Sequence, residues 1–350
     1  MGDSLDTPAV NGKDSHDRFG SGRVAVVEVL GESVLVARTD DGRLTAFYNV
    51  CRHRGSQLVP VAAGEAAEVA PLTVRALRCP YHSWTYDLDG GLMRAPHTDD
   101  VDDFDPACFS LHRVGVEEWA GFVFVHLTPA AAQPLAETLG AVPQRLARYP
   151  LASLRVGWRT SYDVHANWKL IAENYNECYH CAGVHPELCR LVPAFARGGQ
   201  NLEWEAGVPH REGAWTFTTS GTSQRAPFDG LDADERVRHK GELVYPNLLL
   251  SLSADHVAAF TLWPLAHDRT RIDCALLFAP AEIARATFDP SDAADLWDLV
   301  NRQDWAICES VQRGMSSRAY DGGWFAPMED ESLDIRRWLL PRLARAEPTP

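Results

Sequence analysis

Two short clips of metal-binding side chains, Cys51-Arg52-His53 and Cys79-Pro80-Tyr81-His82, restrict what this 350-residue chain can fold into more than any other feature. Each clip follows a β-type run, so a small sheet could hold both on facing loop tips and converge two thiolates and two imidazoles. Zinc takes such a set as a tetrahedron, yet zinc modules usually separate paired ligands by two or more residues, and a C-x-H clip is unusual for them. A [2Fe–2S] centre with two thiolates on one iron and two imidazoles on the other takes the same four groups. Its neutral ligands raise the potential above that of an all-cysteine cluster. On that reading the first third of the chain is a one-electron relay.

A second set of donors lies further along. Apolar spacing predicts a helix from Asn167 to about Cys181, ended by Gly183 and Pro186. Glu177 and His180 then share one face as i and i+3, and His185 falls just past the helix end, where its ring can fold back toward His180. Two histidines and one carboxylate on one side of an iron, with other positions open, form the facial triad of non-haem Fe(II) oxygenases. Asp304 is the candidate carboxylate. On a helix expected from Ser291 to about Met315 it falls in the stripe of Val300, Ile307 and Val311, where an ionised group is costly unless paired or metal-bound. The competing reading of Asp304 is a salt bridge or an exposed helix edge, and that of the histidines is a hydrogen-bonded core pair.

Short β-branched runs split by turn residues predict strands over 24–30, 33–39, 44–50, 74–77, 83–88 and 121–127. They make a β domain over about 22–128 behind a polar segment, 1–21, expected to be disordered. The Ala- and Pro-rich stretch Thr128 to Pro150 reads as a partly helical linker. Strands expected over 214–219, 243–253, 257–263 and 271–278, with the two long helices, make the second domain, 129–345, α+β. A hydrophobic fraction of 45% fills a core in each domain. The 48 acidic against 33 basic side chains give a charge of −15, which disfavours nucleic acid and anionic lipid and favours cationic ligands. No run nears the roughly 20 apolar residues of a membrane span, and no leader-like apolar core opens the chain, so the expected location is cytoplasmic. Metal binding is then a better use than disulfides for at least two of the eight cysteines.

The segments Asn49-Val50-Cys51-Arg52-His53-Arg54-Gly55 and Cys79-Pro80-Tyr81-His82-Ser83-Trp84 resemble both halves of the Rieske signature of ring-hydroxylating and related non-haem iron oxygenases. Asn167-Trp168-Lys169, Glu173-Asn174-Tyr175 and Glu177-x-x-His180-x4-His185-Pro186 look like the mononuclear-iron segment of the same family, so the resemblance spans nearly the whole chain from about Val24. It implies Cys51, His53, Cys79 and His82 as ligands of a [2Fe-2S] Rieske cluster, and His180, His185 and Asp304 as ligands of a mononuclear Fe(II). Glu177 would be the acidic bridge between a neighbouring subunit's Rieske histidine and His180. Many ring-hydroxylating members carry Asp at the bridge. Glu177-Cys178-Tyr179-His180-Cys181, His185-Pro186-Glu187-Leu188 and Glu309-Ser310-Val311-Gln312-Arg313-Gly314 are more similar to the choline, carnitine, stachydrine and glycine betaine oxygenases. A second departure is a shorter segment ahead of the Rieske domain than relatives usually carry.

The fold so implied is an N-terminal antiparallel β Rieske domain and a catalytic domain of helix-grip type, an antiparallel sheet with long helices. The implied function is that of a terminal oxygenase using O2 and electrons from an NAD(P)H-dependent flavin/iron-sulfur reductase, assembled as a homotrimer. It would hydroxylate a small molecule, such as an N-methyl group of glycine betaine. An aromatic ring-hydroxylating dioxygenase is the alternative within the fold, and a non-catalytic Rieske electron carrier the alternative outside it. The carrier needs only the first constellation. Trp215, Phe217, Tyr245, Phe260 and Trp263 fall on or beside expected strands and are candidates for a cage around a cation, with ordinary core packing as the competing reading.

Overall fold

The computed structural model describes residues 9–10, 21–61, 72–199 and 202–345, and the chain divides between Leu135 and Ala136 into two compact units. The N-terminal unit contains β1 (Ala9–Val10), β2 (Arg23–Val29), β3 (Glu32–Arg38), β4 (Leu44–Tyr48), β5 (Leu72–Thr73), β6 (Leu77–Arg78), β7 (Thr85–Tyr86), β8 (Leu92–Arg94), β9 (Arg113–Trp119) and β10 (Phe122–His126). A seven-stranded antiparallel sheet runs β1-β10-β9-β4-β3-β2-β5, and β6-β7-β8 form a smaller one. Between β2 and β3, Leu30 and Gly31 both take positive φ, 52° and 85°, the two-residue turn whose twist suits a tight hairpin. Val24 and Val26, alternate residues of β2, pack with Leu35, Ala37, Phe47, Trp84 and Tyr86 in the core of this unit. Gly90 is required where it stands: at φ +86°, a Cβ there would come 2.4 Å from the Phe47 ring.

Three expectations change here. The strand expected over 74–77 is replaced by the separate pairs β5 and β6. The strand β9 escaped notice because Glu117 and Glu118 interrupt its alternation, although Glu118 is held by Arg38 at 2.6 Å. Within the segment expected to be disordered, Ala9 and Val10 pair with Phe124 and Val123, because the open edge of β10 offers backbone partners. Residues 1–8 and 11–20 lie outside the described residues.

The C-terminal unit is built on β11 (Arg155–Val164), β12 (Val208–Pro209), β13 (Arg238–Val244), β14 (Leu248–Leu252), β15 (His256–Ala266) and β16 (Arg269–Phe278), antiparallel in the order β11-β16-β15-β14-β13-β12. Phe260, Leu262, Ile272, Cys274 and Leu276 of the sheet share one core with Ala293, Ala294, Leu296, Trp297 and Val300 of the Ser291–Met315 helix. Helices Trp168–Tyr175 and Asp330–Arg345 complete this layer. The last was not anticipated: Pro341 and its many charges hide the short apolar stripe of Ile335 and Leu339. The strand expected over 214–219 is instead a string of bends, in which Trp215 and Thr216 N–H both donate to Gly221 O and the Thr218 hydroxyl donates to Thr222 O. Such hydroxyls compete with ladder bonding. Among the described residues no helix is long and apolar enough to cross a membrane.

Candidate functional site

The first clip grows out of the end of β4. Asn49, fully buried, closes its loop by accepting from Leu58 and Val59 N–H at 2.9 and 3.0 Å and donating to Val59 O at 2.7 Å. Cys51 N–H donates to Ser56 O, and Gly55, at φ +74°, turns the chain back. The second clip is the turn between β6 and β7, closed by Cys79 N–H to Trp84 O at 2.8 Å, with Ser83 in the left-handed region at φ 62°. These turns bring the four clip residues together. The His53 and His82 rings lie 4.6 Å apart, and His53 stacks on Trp84 at 4.9 Å.

Both thiols are free and buried. Burial pushes the Cys51 thiol up. Burial opposes the Cys79 thiolate too, but the N–H groups of Tyr81 and His82 hold Cys79 below its ordinary value. Burial, with His82 alongside, lowers His53. The set suits two thiolates and two neutral imidazoles, and His82 Nδ1, buried with no hydrogen-bond partner among the described residues, is left over for a metal. Cys51 and Cys79 face the core while His53 and Tyr81 are exposed, so the imidazole end meets the surface of the unit.

In the C-terminal unit the expected Asn167–Cys181 helix ends at Tyr175. The Glu177 carboxylate accepts from the N–H groups of Tyr179 and His180, folding 176–180 into a turn before the short helix Cys181–Val184. Glu177 and His180 therefore meet across a turn rather than along a helix face, with Glu177 Oε1 2.5 Å from His180 Nδ1. His185 caps the start of the next helix, Pro186–Leu191. The Ser291–Met315 helix is where it was expected, but Ile307 and Val311 are 38% and 43% exposed, so the apolar stripe argued for Asp304 holds only at Val300.

Three donor atoms converge. His180 Nε2 and His185 Nε2 are 3.2 Å apart, and Asp304 Oδ1 lies 3.3 Å from the first and 2.9 Å from the second. Ligands at about 2.1 Å from a divalent ion sit about 3.0 Å apart at right angles and about 3.4 Å apart at tetrahedral angles, so this triangle has the size of three ligands on one side of such an ion. Partners behind the rings aim them: Glu177 takes His180 Nδ1, and Gln303 Oε1 takes His185 Nδ1 at 2.7 Å. Gln303 is itself held by Glu187 at 3.2 Å. Each Nε2 is thus turned to the centre. Burial works against charge on His180, but the Asp304 and Glu177 carboxylates outweigh it and raise its pKa to about 9. Burial likewise opposes the Asp304 carboxylate, which the two histidines hold below its ordinary value. The net field is one that attracts a cation.

Of the five aromatic candidates the structure gathers two. Phe217 and Phe260 lie 5.0 and 5.7 Å from Trp297, which stands two turns before Asp304 on its helix, and all three are buried in the hydrophobic core of the unit, as the core-packing reading holds. Trp263 points to the other face of β15 and donates to Asp273, Tyr245 stacks on Trp338 at 4.6 Å, and Trp215 joins neither group. Sequence reasoning missed Trp297, Gln303, Tyr86 and the Cys178–Cys181 disulfide. Only the Cys-x-x-Cys spacing around His180 was a usable signal.

The chain resembles known proteins over both units. The Rieske [2Fe-2S] domain family matches residues 13–105, and the ring hydroxylating alpha subunit (catalytic domain) family matches residues 151–344. The glycine betaine monooxygenase oxygenase subunit of Chromohalobacter salexigens is 32% identical, over 94% of this chain and 80% of its own length. The carnitine monooxygenase oxygenase subunit of Escherichia coli is 31% identical, over 84% and 74%. A solved quaternary ammonium Rieske monooxygenase, described for carnitine oxidation and inter-subunit electron transfer, superposes with a TM-score of 0.74 at 23% identity, covering 97% of this chain and 89% of that one.

Proposed function

Because the chain belongs to the ring-hydroxylating alpha-subunit family and carries a Rieske domain ahead of the catalytic one, we propose how its residues divide the work of a terminal oxygenase. Cys51 and Cys79 hold one iron of the [2Fe-2S] cluster and His53 and His82 the other. His180, His185 and Asp304 hold the Fe(II). The observation that carries the reading is the triangle of Nε2, Nε2 and Oδ1 atoms with edges of 2.9–3.3 Å.

When bound, the cluster relays single electrons and the iron activates O2 beside the substrate. The chain's own part is positional. Glu177 orients His180 through Nδ1 and links it to the Rieske histidine of a neighbouring subunit, which makes a homotrimer the working assembly. An NAD(P)H-dependent flavin/iron-sulfur reductase supplies the electrons, in the cytoplasm.

The substrate is a small quaternary ammonium compound, with glycine betaine the first choice. Support comes from the two curated relatives and from the acidic balance of the chain, which favours a cationic ligand. One N-methyl group takes one oxygen atom from O2, the other leaves as water with two electrons and two protons, and the product collapses to formaldehyde and the demethylated amine. The test is iron and acid-labile sulfide content, with EPR of the dithionite-reduced protein, followed by O2 uptake with betaines and with aromatic hydrocarbons. About three irons and two sulfides per chain, with betaine-dependent formaldehyde release, is the expected result. Zinc without sulfide would overturn the metal assignment, and uptake driven only by aromatics the substrate.

A further inference from the structure

Asn174 stands between the two stretches that supply the converging donors. Its Nδ2 lies 3.2 Å from Asp304 Oδ1 and against the His180 ring, 3.2 Å from Nδ1 and 3.0 Å from Nε2, so one primary amide touches an early residue and the late one. On its other side the Cys308 thiol donates to Asn174 Oδ1 at 3.1 Å. Cys308 follows Asp304 by one helical turn on the same face and is buried. Asn174 and Cys308 line a cavity of about 180 Å³ shared with Glu177 and His180.

We propose that Cys308 and Asn174 are a positioning pair for the Asp304 carboxylate: the thiol sets which way the amide faces, and the amide N–H sets which carboxylate oxygen faces His180 and His185. This rests on Asp304 being an iron ligand. An amide presents an oxygen at one end and two N–H donors at the other, and a half-turn about its last bond exchanges them. With the oxygen turned inward, it would meet Asp304 Oδ1, acceptor against acceptor, and the N–H groups would face sulfur. The buried Cys308 thiol has Asn174 Oδ1 before it as acceptor at 3.1 Å and stands as the donor of that pair. The inward oxygen is thereby closed off. The bond from Nδ2 falls on the same carboxylate oxygen that approaches both imidazoles, and it reaches that oxygen from a different helix, which fixes Asp304 against rotation.

The test uses the full-length, cluster-loaded protein and its N174A, C308A, C308S and D304A variants. Fe(II) affinity is read by competition with a chromophoric chelator, and site geometry by EPR of the Fe(II) protein with nitric oxide as probe, with the Rieske EPR signal as internal control. N174A should weaken Fe(II) binding by about 10- to 100-fold, and C308A by about two- to tenfold, both with an altered nitric oxide spectrum. C308S should restore both readouts, since a hydroxyl donates in the same direction. Wild-type affinity and spectrum in N174A, or no difference between C308A and C308S, would overturn the pair. D304A separates the two layers: unchanged Fe(II) affinity there sinks the ligand reading, whereas loss there with N174A unaffected sinks only the pair.

Discussion

Replacing Gln303 with Leu isolates what orientation of a single imidazole is worth. His185 is 1% exposed, and among the described residues its Nδ1 has one hydrogen-bond partner, Gln303 Oε1 at 2.7 Å. Leucine matches the volume but leaves a buried N–H unsatisfied, a penalty of about 1–3 kcal/mol. The ring can escape it only by rotating or shifting its proton to Nε2, and either move withdraws the nitrogen proposed to face the metal. The penalty therefore falls on the metal-bound state, where it converts to a roughly 5- to 140-fold weaker Fe(II) dissociation constant. The assay is chelator competition on anaerobic protein, with the Rieske spectrum confirming that the other centre is intact. Glu187→Gln, which leaves the Gln303 carbonyl in place, should shift affinity by less than about 1 kcal/mol. If the Gln303→Leu variant binds Fe(II) as tightly as wild type, the partner behind His185 does not aim it and the argument fails.

The other predictions concern electron flow and acid. Glu177→Gln keeps an acceptor for His180 Nδ1 but removes its charge; losing about 1.5–3 kcal/mol should slow oxidation of the reduced cluster by roughly 10- to 140-fold in single-turnover stopped flow, with metal content unchanged, and a wild-type rate would remove Glu177 from the path. Tyr86 OH accepts from Arg52 N–H at 3.1 Å and lies 3.4 Å from Cys51 Sγ, so its proton faces sulfur. Tyr86→Phe should lower the cluster potential by on the order of 40 mV, the equivalent of about 1 kcal/mol, as read by redox titration. Burial pushes His210 down from 6.5 to about 4. The unfolded chain takes up that proton below about 6.5 and the native one only below about 4, so stability is full above 6.5 and falls as the pH drops through this window, by up to about 3 kcal/mol. Denaturant unfolding at pH 5 and 7 should show a smaller drop in His210→Gln than in wild type; equal drops would contradict the assignment.

How much of this was readable in the chain depends on how locally each feature is encoded. The cluster clips are local: Asn49, the glycine of the first turn and the Cys79-to-Trp84 turn all lie within a few residues of the ligands they place. The meeting of Glu177 with His180 was also anticipated, but for a different backbone reason. Spacing of three suited a helix, whereas the carboxylate itself ends the helix by taking the N–H groups of Tyr179 and His180. Asp304 was chosen from a stripe of which only Val300 is buried, because helix phase alone cannot tell a core-facing residue from one facing a cavity such as the one Ile307 and Val311 line. Gln303 and Trp297 carry no local mark. Their roles arise from which strand or loop the helix packs against, and that is settled by the sheet order, where β11 pairs with β16 across more than a hundred residues.

The two centres differ in how much of the chain must exist before each can be filled. Every side chain proposed for the cluster lies between Cys51 and His82, inside the unit that leaves the ribosome first. The triangle proposed for iron instead joins His185 to a carboxylate 119 residues later. All the donors proposed for the cluster are present once the N-terminal unit is made, whereas the proposed mononuclear site has no third corner until the Ser291–Met315 helix has docked. On that assignment, filling of the mononuclear site would report on completion of the C-terminal fold.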